Sequence, residues 1–351
     1  MGSLMQELEE KALRLGAPLG AHLDLTYRCN ERCIHCYLDH RDDGEMTTAE
    51  VGTLLEQLAE AGVFLLTLSG GEPLLRPDFF EILEHARRLL FNVGLKTNAT
   101  LIGEQEAGRI RSLGVQKIAV SIYSHRPQVH DAITRVPGSL KRSLDALHLL
   151  KSRGLNVTIT HIVMVQNIGD QAAVKALAEE LGVPFEIDTS ITPKLNGDRS
   201  IVALNAPPDY LKQILHDEKL AGDMDQVSAP PHPADPSAMD RLPCSAGQTV
   251  CYISPYGDVY PCVQFPLSCG NVLRQTFADI WRNSKQLREL RSIRTHDLPI
   301  CSACRLAGVC NRCPGLAYME GDMRGPSTAD CENCFARTGV LSPIMNPTEI
   351  F

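Results

Sequence analysis

The thirteen cysteines of this chain fall into two blocks: Cys29, Cys33 and Cys36 lie within "LTYRCNERCIHCYLDH", ten follow residue 243, and residues 37 to 243 contain none. No other feature of the sequence restricts the fold as much. The first residues, "MGSLMQELEEKALRLGAPLG", read as a polar amphipathic helix without the continuous apolar run of a secretory signal. No segment approaches the roughly 18 apolar residues of a membrane span. A cytoplasmic location with no membrane partner is therefore expected. Thiols kept reduced there point to metal ligation more than to a disulfide framework, and two blocks imply two separate cysteine sites.

A chain of 351 residues with 44% hydrophobic content can bury a barrel-sized core and a smaller second unit. Its formal net charge of -8, with a pI near 5.8, argues against a surface that binds nucleic acid through bulk positive charge.

Between the blocks, apolar segments alternate with helical patterns. "HLDLTY" (22–27), "FLLTLSG" (64–70), "NVGLKTNA" (92–99), "KIAVSIYS" (117–124), "NVTITHIVM" (156–164) and "FEIDTS" (185–190) read as buried parallel strands. "TTAEVGTLLEQLAEAG" opens with Thr47 and Glu50 at capping-box spacing, and "RSLDALHLLKSRG" closes at Gly154. Six β-α units make a complete or partial barrel, and an open doubly wound sheet gives much the same pattern. The placement of unusual residues separates the two. The three cysteines follow the first strand, "SGGEP" (69–73) ends the second, "KTN" (96–98) the third and "SIYS" (121–124) the fourth. In a parallel barrel these positions share the C-terminal rim, where chemistry collects.

The C-x3-C-x2-C spacing of Cys29, Cys33 and Cys36, followed by Tyr37 and later by "GGEP", resembles the radical S-adenosylmethionine (radical SAM) superfamily. Three thiolates leave one iron of a 4Fe-4S cubane open, whereas three thiols alone could also be an incomplete zinc site. The resemblance implies that the open iron chelates SAM, and that an electron from the cluster yields a 5'-deoxyadenosyl radical that removes hydrogen from a substrate. It also implies that Gly70, Gly71 and the Glu72 carboxylate contact the SAM amino group, with Thr97, Asn98 and Ser121 facing the cofactor. "YSHRPQVHDAITRVPGSL" is similar to the stretch after the fourth strand in members with a C-terminal iron-sulfur extension.

The second block resembles the SPASM domain of such enzymes, through Cys244, Gly257 and Cys262 in a C-x12-G-x4-C element and Cys301, Cys304, Cys310 and Cys313 in C-x2-C-x5-C-x2-C. The common family form has three residues in that last gap, so this chain departs by one. Carried over from the anaerobic sulfatase-maturating enzymes, one auxiliary 4Fe-4S cluster uses Cys244, Cys251, Cys262 and Cys313, and the other Cys301, Cys304, Cys310 and Cys331. Cys334 is an alternative to Cys331, Cys269 is left as a buried thiol, and a zinc ribbon is the alternative for 301–334.

The resulting expectation is α/β: a helix at 1–20, a partial (β/α)6 radical SAM barrel at 21–205, a helix and Pro-rich linker at 206–243, a SPASM domain at 244–335 and a tail at 336–351. The resemblance implies three 4Fe-4S clusters, SAM, and an electron donor such as flavodoxin or ferredoxin. The leading substrate is a ribosomally made peptide or protein. Only 28 residues precede Cys29, fewer than the roughly 50 of a minimal domain, so any leader recognition is expected from a separate protein.

Three other readings stand beside it. A sulfatase-maturating enzyme has an aspartate after the cysteine matching Cys262, and this chain has Val263 there. A small-molecule enzyme of the haem-pathway decarboxylase type would need a basic patch, for which "RQTFADIWRNSKQLRELRSIRTH" (274–296) is the candidate, although it also reads as one amphipathic helix. A non-catalytic iron-sulfur protein is the fourth. His35, His130, Asp131 and Asp258 are expected to be structural, and Asp188 and Thr189 to face the substrate cavity.

Overall fold

The computed structural model describes residues 4–221 and 240–345, except 41, 43 and 241. Helix α1 spans Leu4–Leu15, and six strands follow: β1 Gly20–Thr26, β2 Leu65–Gly70, β3 Asn92–Thr97, β4 Lys117–Ser121, β5 Val157–Ile162 and β6 Phe185–Asp188. All are parallel and pair in chain order from β1 to β6. A doubly wound sheet reverses its strand order at a switch point. This one does not reverse, so it is a partial (β/α)6 barrel.

The helices between the strands are α2 Thr48–Glu60, α3 Phe79–Arg88, α4 Glu104–Ser112, α5 Pro127–Thr134, α6 Ser139–Ser152 and α7 Gln171–Leu181, and α8 Pro208–Leu215 follows β6. The capping box at the start of α2 is fully formed, with Thr47 and Glu50 each satisfying the other's backbone N–H. The core lies between helices and sheet, where Leu54, Leu55, Leu58, Leu66, Leu68 and Phe79 are buried. The opposite face of the strands, with period two, turns His22, Ala119, Ser121, Thr160, Ile162, Glu186 and Asp188 into the barrel mouth.

The second cysteine block adds strands to the barrel sheet. Strand β7 (Val250–Ile253) pairs in parallel with the free side of β1, and β8 (Asp258–Tyr260) and β9 (Gly270–Asn271) continue the sheet antiparallel. Asp258 is structural as expected, since its carboxylate accepts from Asn271 Nδ2 at 2.9 Å and ties β8 to β9.

The single helix read at 274–296 is two, α9 (Phe277–Asn283) and α10 (Lys285–Ser292), because Ser284 adopts an extended backbone between them. Both helices bury an apolar face, with Phe277, Ile280, Trp281, Leu287 and Leu290 inside. Cys313 stands at the N-cap of α11 (Pro314–Met319), and α12 (Thr328–Thr338) carries Cys331 and Cys334. The Pro-rich segment at 228–243 lies outside the described residues apart from Asp240, Leu242 and Pro243. Among the described residues no helix is long and apolar enough to cross a membrane.

Candidate functional site

The loop after β1 carries the first three cysteines and is pinned to the end of α5 by two backbone bonds, Arg32 N to Thr134 O and Ile34 N to Ile133 O, both 3.0 Å. The thiols of Cys29, Cys33 and Cys36, together with Tyr37, line one cavity of about 520 Å³ at the barrel mouth. The Cys29 sulfur accepts from Glu31 N at 3.4 Å and from Asn98 Nδ2 at 3.8 Å. Burial pushes the Cys29 thiol up to about 12 and Cys36 to about 11, and raises Cys33 as well. Buried thiolates need a cation beside them, and iron supplies one, so this donor set fits a cluster with one open iron.

The glycines of "GGEP" have a reason within the chain itself. A Cβ on Gly70 would stand 2.2 Å from Thr26 O, and one on Gly71 would stand 2.2 Å from Arg28 O. Those same carbonyls region by region hold the turn: Gly71 N donates to Thr26 O and Glu72 N to Arg28 O. The close approach thus fixes the cysteine loop against the end of β2 while Ser69, Gly70 and Gly71 line the cavity.

Glu72 turns away from the cavity. Its carboxylate is fully buried, does not line the cavity, and accepts from Thr97 Oγ1 and Asn98 N at 2.9 Å and from Leu74 N at 3.1 Å. Burial raises it to about 7 despite these bonds. Its work here is to join the ends of β2 and β3, which sets Thr97 and Asn98 on the cavity wall. Ser121 lines the cavity too.

His35 packs its ring on Tyr123 at 4.7 Å, and burial lowers it to about 4, so it stands as a neutral side chain. His130 accepts from Tyr123 N, and Asp131 accepts from Gly138 N, Ser139 Oγ and Leu140 N at the start of α6. Both are structural. Asp188 lines the cavity and is raised by burial, whereas Thr189 is not among the lining residues.

Lys96, from the "KTN" end of β3, also lines this space, and sequence reading missed Glu31, Thr160 and Glu186 there. Thr160 pairs in register with Ser121, so the period-two pattern of β5 was the available signal. Val263 and Gln264 reach the cavity from the second cysteine block, which no local pattern announces.

The other ten cysteines divide unexpectedly. Cys301, Cys304, Cys310, Cys331 and Cys334 all line a cavity of about 190 Å³, so both alternatives for the last position are present together. The Cys310 and Cys334 thiols are in hydrogen-bonding contact, which raises one and lowers the other. Cys244 and Cys262 pack with Ala246, Phe265, Leu290 and Ile293, and the Cys313 sulfur lies 4.0 Å from the side-chain oxygen of Gln264, two residues after Cys262. Cys251 does not join them. It is buried in the core beside Cys269, with its thiol 3.9 Å from Gly20 O.

Residues 23–179 match the family described as the radical SAM superfamily, and residues 244–305 match SPASM, described as an iron-sulfur cluster-binding domain. The chain is 30% identical over 324 residues to the AdoMet-dependent heme synthase of Methanosarcina barkeri, covering 84% of this chain and 90% of that protein. It is 30% identical over 321 residues to the mycofactocin maturase MftC of Mycobacterium tuberculosis (88% and 80%). It is 30% identical over 344 residues to the PqqA peptide cyclase of Xanthomonas campestris (92% and 89%). The fold is similar to that of Streptococcus suis SuiB bound to precursor peptide SuiA, with a TM-score of 0.73 at 16% identity, covering 93% of this chain and 79% of that one.

Proposed function

This chain belongs to the radical SAM superfamily and carries a SPASM iron-sulfur domain, and from that premise we propose that it is a maturase acting on a ribosomally made peptide. When bound, the cluster and SAM supply hydrogen abstraction by a 5'-deoxyadenosyl radical. In this reading Cys29, Cys33 and Cys36 hold the SAM-binding cluster, while Gly70, Gly71, Thr97, Asn98, Ser121 and Tyr37 form the cofactor wall. Val263 and Gln264 form part of the substrate wall. A small electron donor such as flavodoxin or ferredoxin, and a separate leader-recognition protein, complete the proposed system.

The observation that carries the peptide reading is the charge of the cavity. Its lining holds one lysine, Lys96, against three carboxylates, Glu31, Glu186 and Asp188. A porphyrin bearing several carboxylates would need cationic partners in a site of this kind. The basic segment at 274–296 does not supply them, because none of its residues line the cavity and Arg291 is engaged with Gly247 O and Trp281 O. An apolar Val263 at the cavity wall likewise offers no proton acceptor for sulfatase maturation. The PqqA peptide cyclase and MftC relatives support the same choice, and the heme synthase relative supports the alternative.

The test offers the anaerobically reconstituted enzyme, SAM and a strong reductant either to short precursor peptides encoded beside the gene or to an iron-porphyrin carboxylate. A mass change in a peptide, coupled to 5'-deoxyadenosine, is the expected result. Decarboxylation of the porphyrin, with every peptide unchanged, would replace the maturase reading by the haem-type one.

A further inference from the structure

We infer that His22, held by the buried carboxylate of Asp24, is the proton acceptor of the reaction cavity and takes the proton that a peptide substrate releases after hydrogen abstraction. The inference rests on the maturase reading.

His22 and Asp24 are two positions apart on β1, so both turn to the inner face of the barrel. Tyr252 of β7 is the register partner of His22 and takes the same face. Asp24 is fully buried and has a partner for each oxygen: Oδ1 lies 3.1 Å from His22 Nε2, and Oδ2 accepts from the Tyr252 hydroxyl at 2.8 Å. The Tyr252 ring packs edge-on against the imidazole, with centroids 5.6 Å apart, which fixes the plane of the imidazole. A carboxylate only accepts, so a neutral His22 ring keeps its proton on Nε2 and its lone pair on Nδ1. Among the described residues no other group hydrogen-bonds the ring, and the side chain lines the cavity wall. The second cysteine block thus completes, through Tyr252, a histidine-carboxylate pair with its basic nitrogen free.

Asp24 and Tyr252 are the titratable groups against the ring itself, and Thr67, paired with His22 from β2, does not titrate. Lys96 from β3, Glu186 and Asp188 from β6 and Glu31 from the cysteine loop share the cavity. The three carboxylates are less suited to accept a proton. Glu186 is paired with Lys117, Asp188 accepts from Ser190 N at 2.9 Å, and Glu31 takes the Cys33 thiol at 3.5 Å.

Abstraction breaks one substrate C–H bond and leaves an unpaired electron on that carbon. A new bond to the carbon then forms as a neighbouring N–H, O–H or C–H bond of the peptide breaks. The released proton passes to His22 Nδ1, and one electron leaves for an oxidised iron-sulfur cluster of the second cysteine block. The product has two hydrogens fewer than the substrate, one carried off in 5'-deoxyadenosine and the other lost as a proton from the imidazolium. A crosslinked or desaturated peptide is therefore the product class.

The experiment measures peptide product and 5'-deoxyadenosine together, in the reconstituted full chain with SAM, a strong reductant and the precursor peptide encoded beside the gene. Abstraction precedes proton transfer, so His22→Ala should lower product about a hundredfold while 5'-deoxyadenosine stays within about twofold of the parent. Added imidazole, filling the space left by the ring, should restore part of the product. His22→Asn keeps an N–H for Asp24 but has no comparable base, so it should show the same split, and it decides the matter where His22→Ala does not fold. Asp24 is a positioning residue. Asp24→Asn turns an amide N–H toward the ring, moves the ring proton to Nδ1 and should give the split without rescue by imidazole. Product retained in His22→Asn overturns the inference, as does a fall of product and 5'-deoxyadenosine in the same proportion, which a merely structural role would give. A split in His22→Ala that imidazole leaves untouched assigns the loss to substrate placement and overturns it too. A parental ratio in Asp24→Asn removes the positioning role of Asp24. A parent protein that forms 5'-deoxyadenosine and leaves the peptide unchanged would instead remove the maturase reading on which the inference rests.

Discussion

The Tyr252 hydroxyl donates to the Asp24 carboxylate at 2.8 Å, joining a strand of the second cysteine block to the first strand of the barrel across 228 positions of sequence. Asp24 is fully buried, its other oxygen lies 3.1 Å from His22 Nε2, and the Tyr27 hydroxyl meets that of Tyr252 at 2.7 Å. Tyr252→Phe removes one partner from a buried charge, at a cost of about 1–3 kcal/mol. Denaturant unfolding of the two proteins measures it. An indistinguishable midpoint would show that this bond does not hold the two blocks together.

Gly71→Ala should be more damaging than its size suggests. The new methyl would stand 2.2 Å from a backbone carbonyl that cannot rotate aside, so the cysteine loop must move. We expect about 1–3 kcal/mol of lost stability, with 5'-deoxyadenosine formation falling below a tenth. Activity equal to the parent protein would mean that the loop relaxes freely.

Every partner of Glu72 donates to it. Glu72→Gln turns an amide NH2 toward at least one of those donors and should cost about 1–3 kcal/mol while weakening SAM binding through Thr97 and Asn98. Equilibrium binding of SAM to the reconstituted protein reads the second effect. Unaltered stability and binding together would contradict the role given to this carboxylate.

Acid should destabilise the fold through His130, which burial lowers to about 4, with Asp131 opposing that shift and His161 adding to it. The folded value lies below the unfolded one of 6.5, so the unfolded chain takes up the proton first as pH falls. Stability is therefore lost between about pH 6.5 and 4. His130→Asn should flatten this part of the curve, as seen in urea midpoints at pH 7.5 and 5.5. A variant whose midpoints fall as steeply as the parent's would exclude His130 as the source.

At the five-thiol site, Cys331→Ala should lose about four irons and Cys334→Ala should keep them. Cys310 and Cys334 touch, whereas thiolates on different irons of one cubane diverge from its corners; Cys331 instead interacts with Cys301 and Cys304. Iron analysis of the two variants gives the answer directly, and the reverse pattern would make Cys334 the ligand.

Much of the site was legible because its signals are local. Cys29, Cys33 and Cys36 share one short loop, so their spacing alone brings three sulfurs to one wall. Glu72 shows what such signals leave open: a motif gives the residue but not which way its side chain turns, and here the ends of β2 and β3 claim the carboxylate. Thr189 and Asp188 were read as a pair for the same place, yet only Asp188 lines the cavity.

Alternating apolar segments, cap residues and the position of each motif at a strand end were enough, by themselves, to determine a parallel barrel with its chemistry on one rim, because strand burial and helix capping depend on neighbours a few residues away. Tertiary structure decided the rest. That β7 extends the barrel sheet, that Val263 and Gln264 enter the cavity, and that Cys251 shares the core with Cys269 all follow from pairing between segments more than two hundred residues apart. Such pairing fixes which face of a strand each side chain takes, and spacing between cysteines carries no record of it.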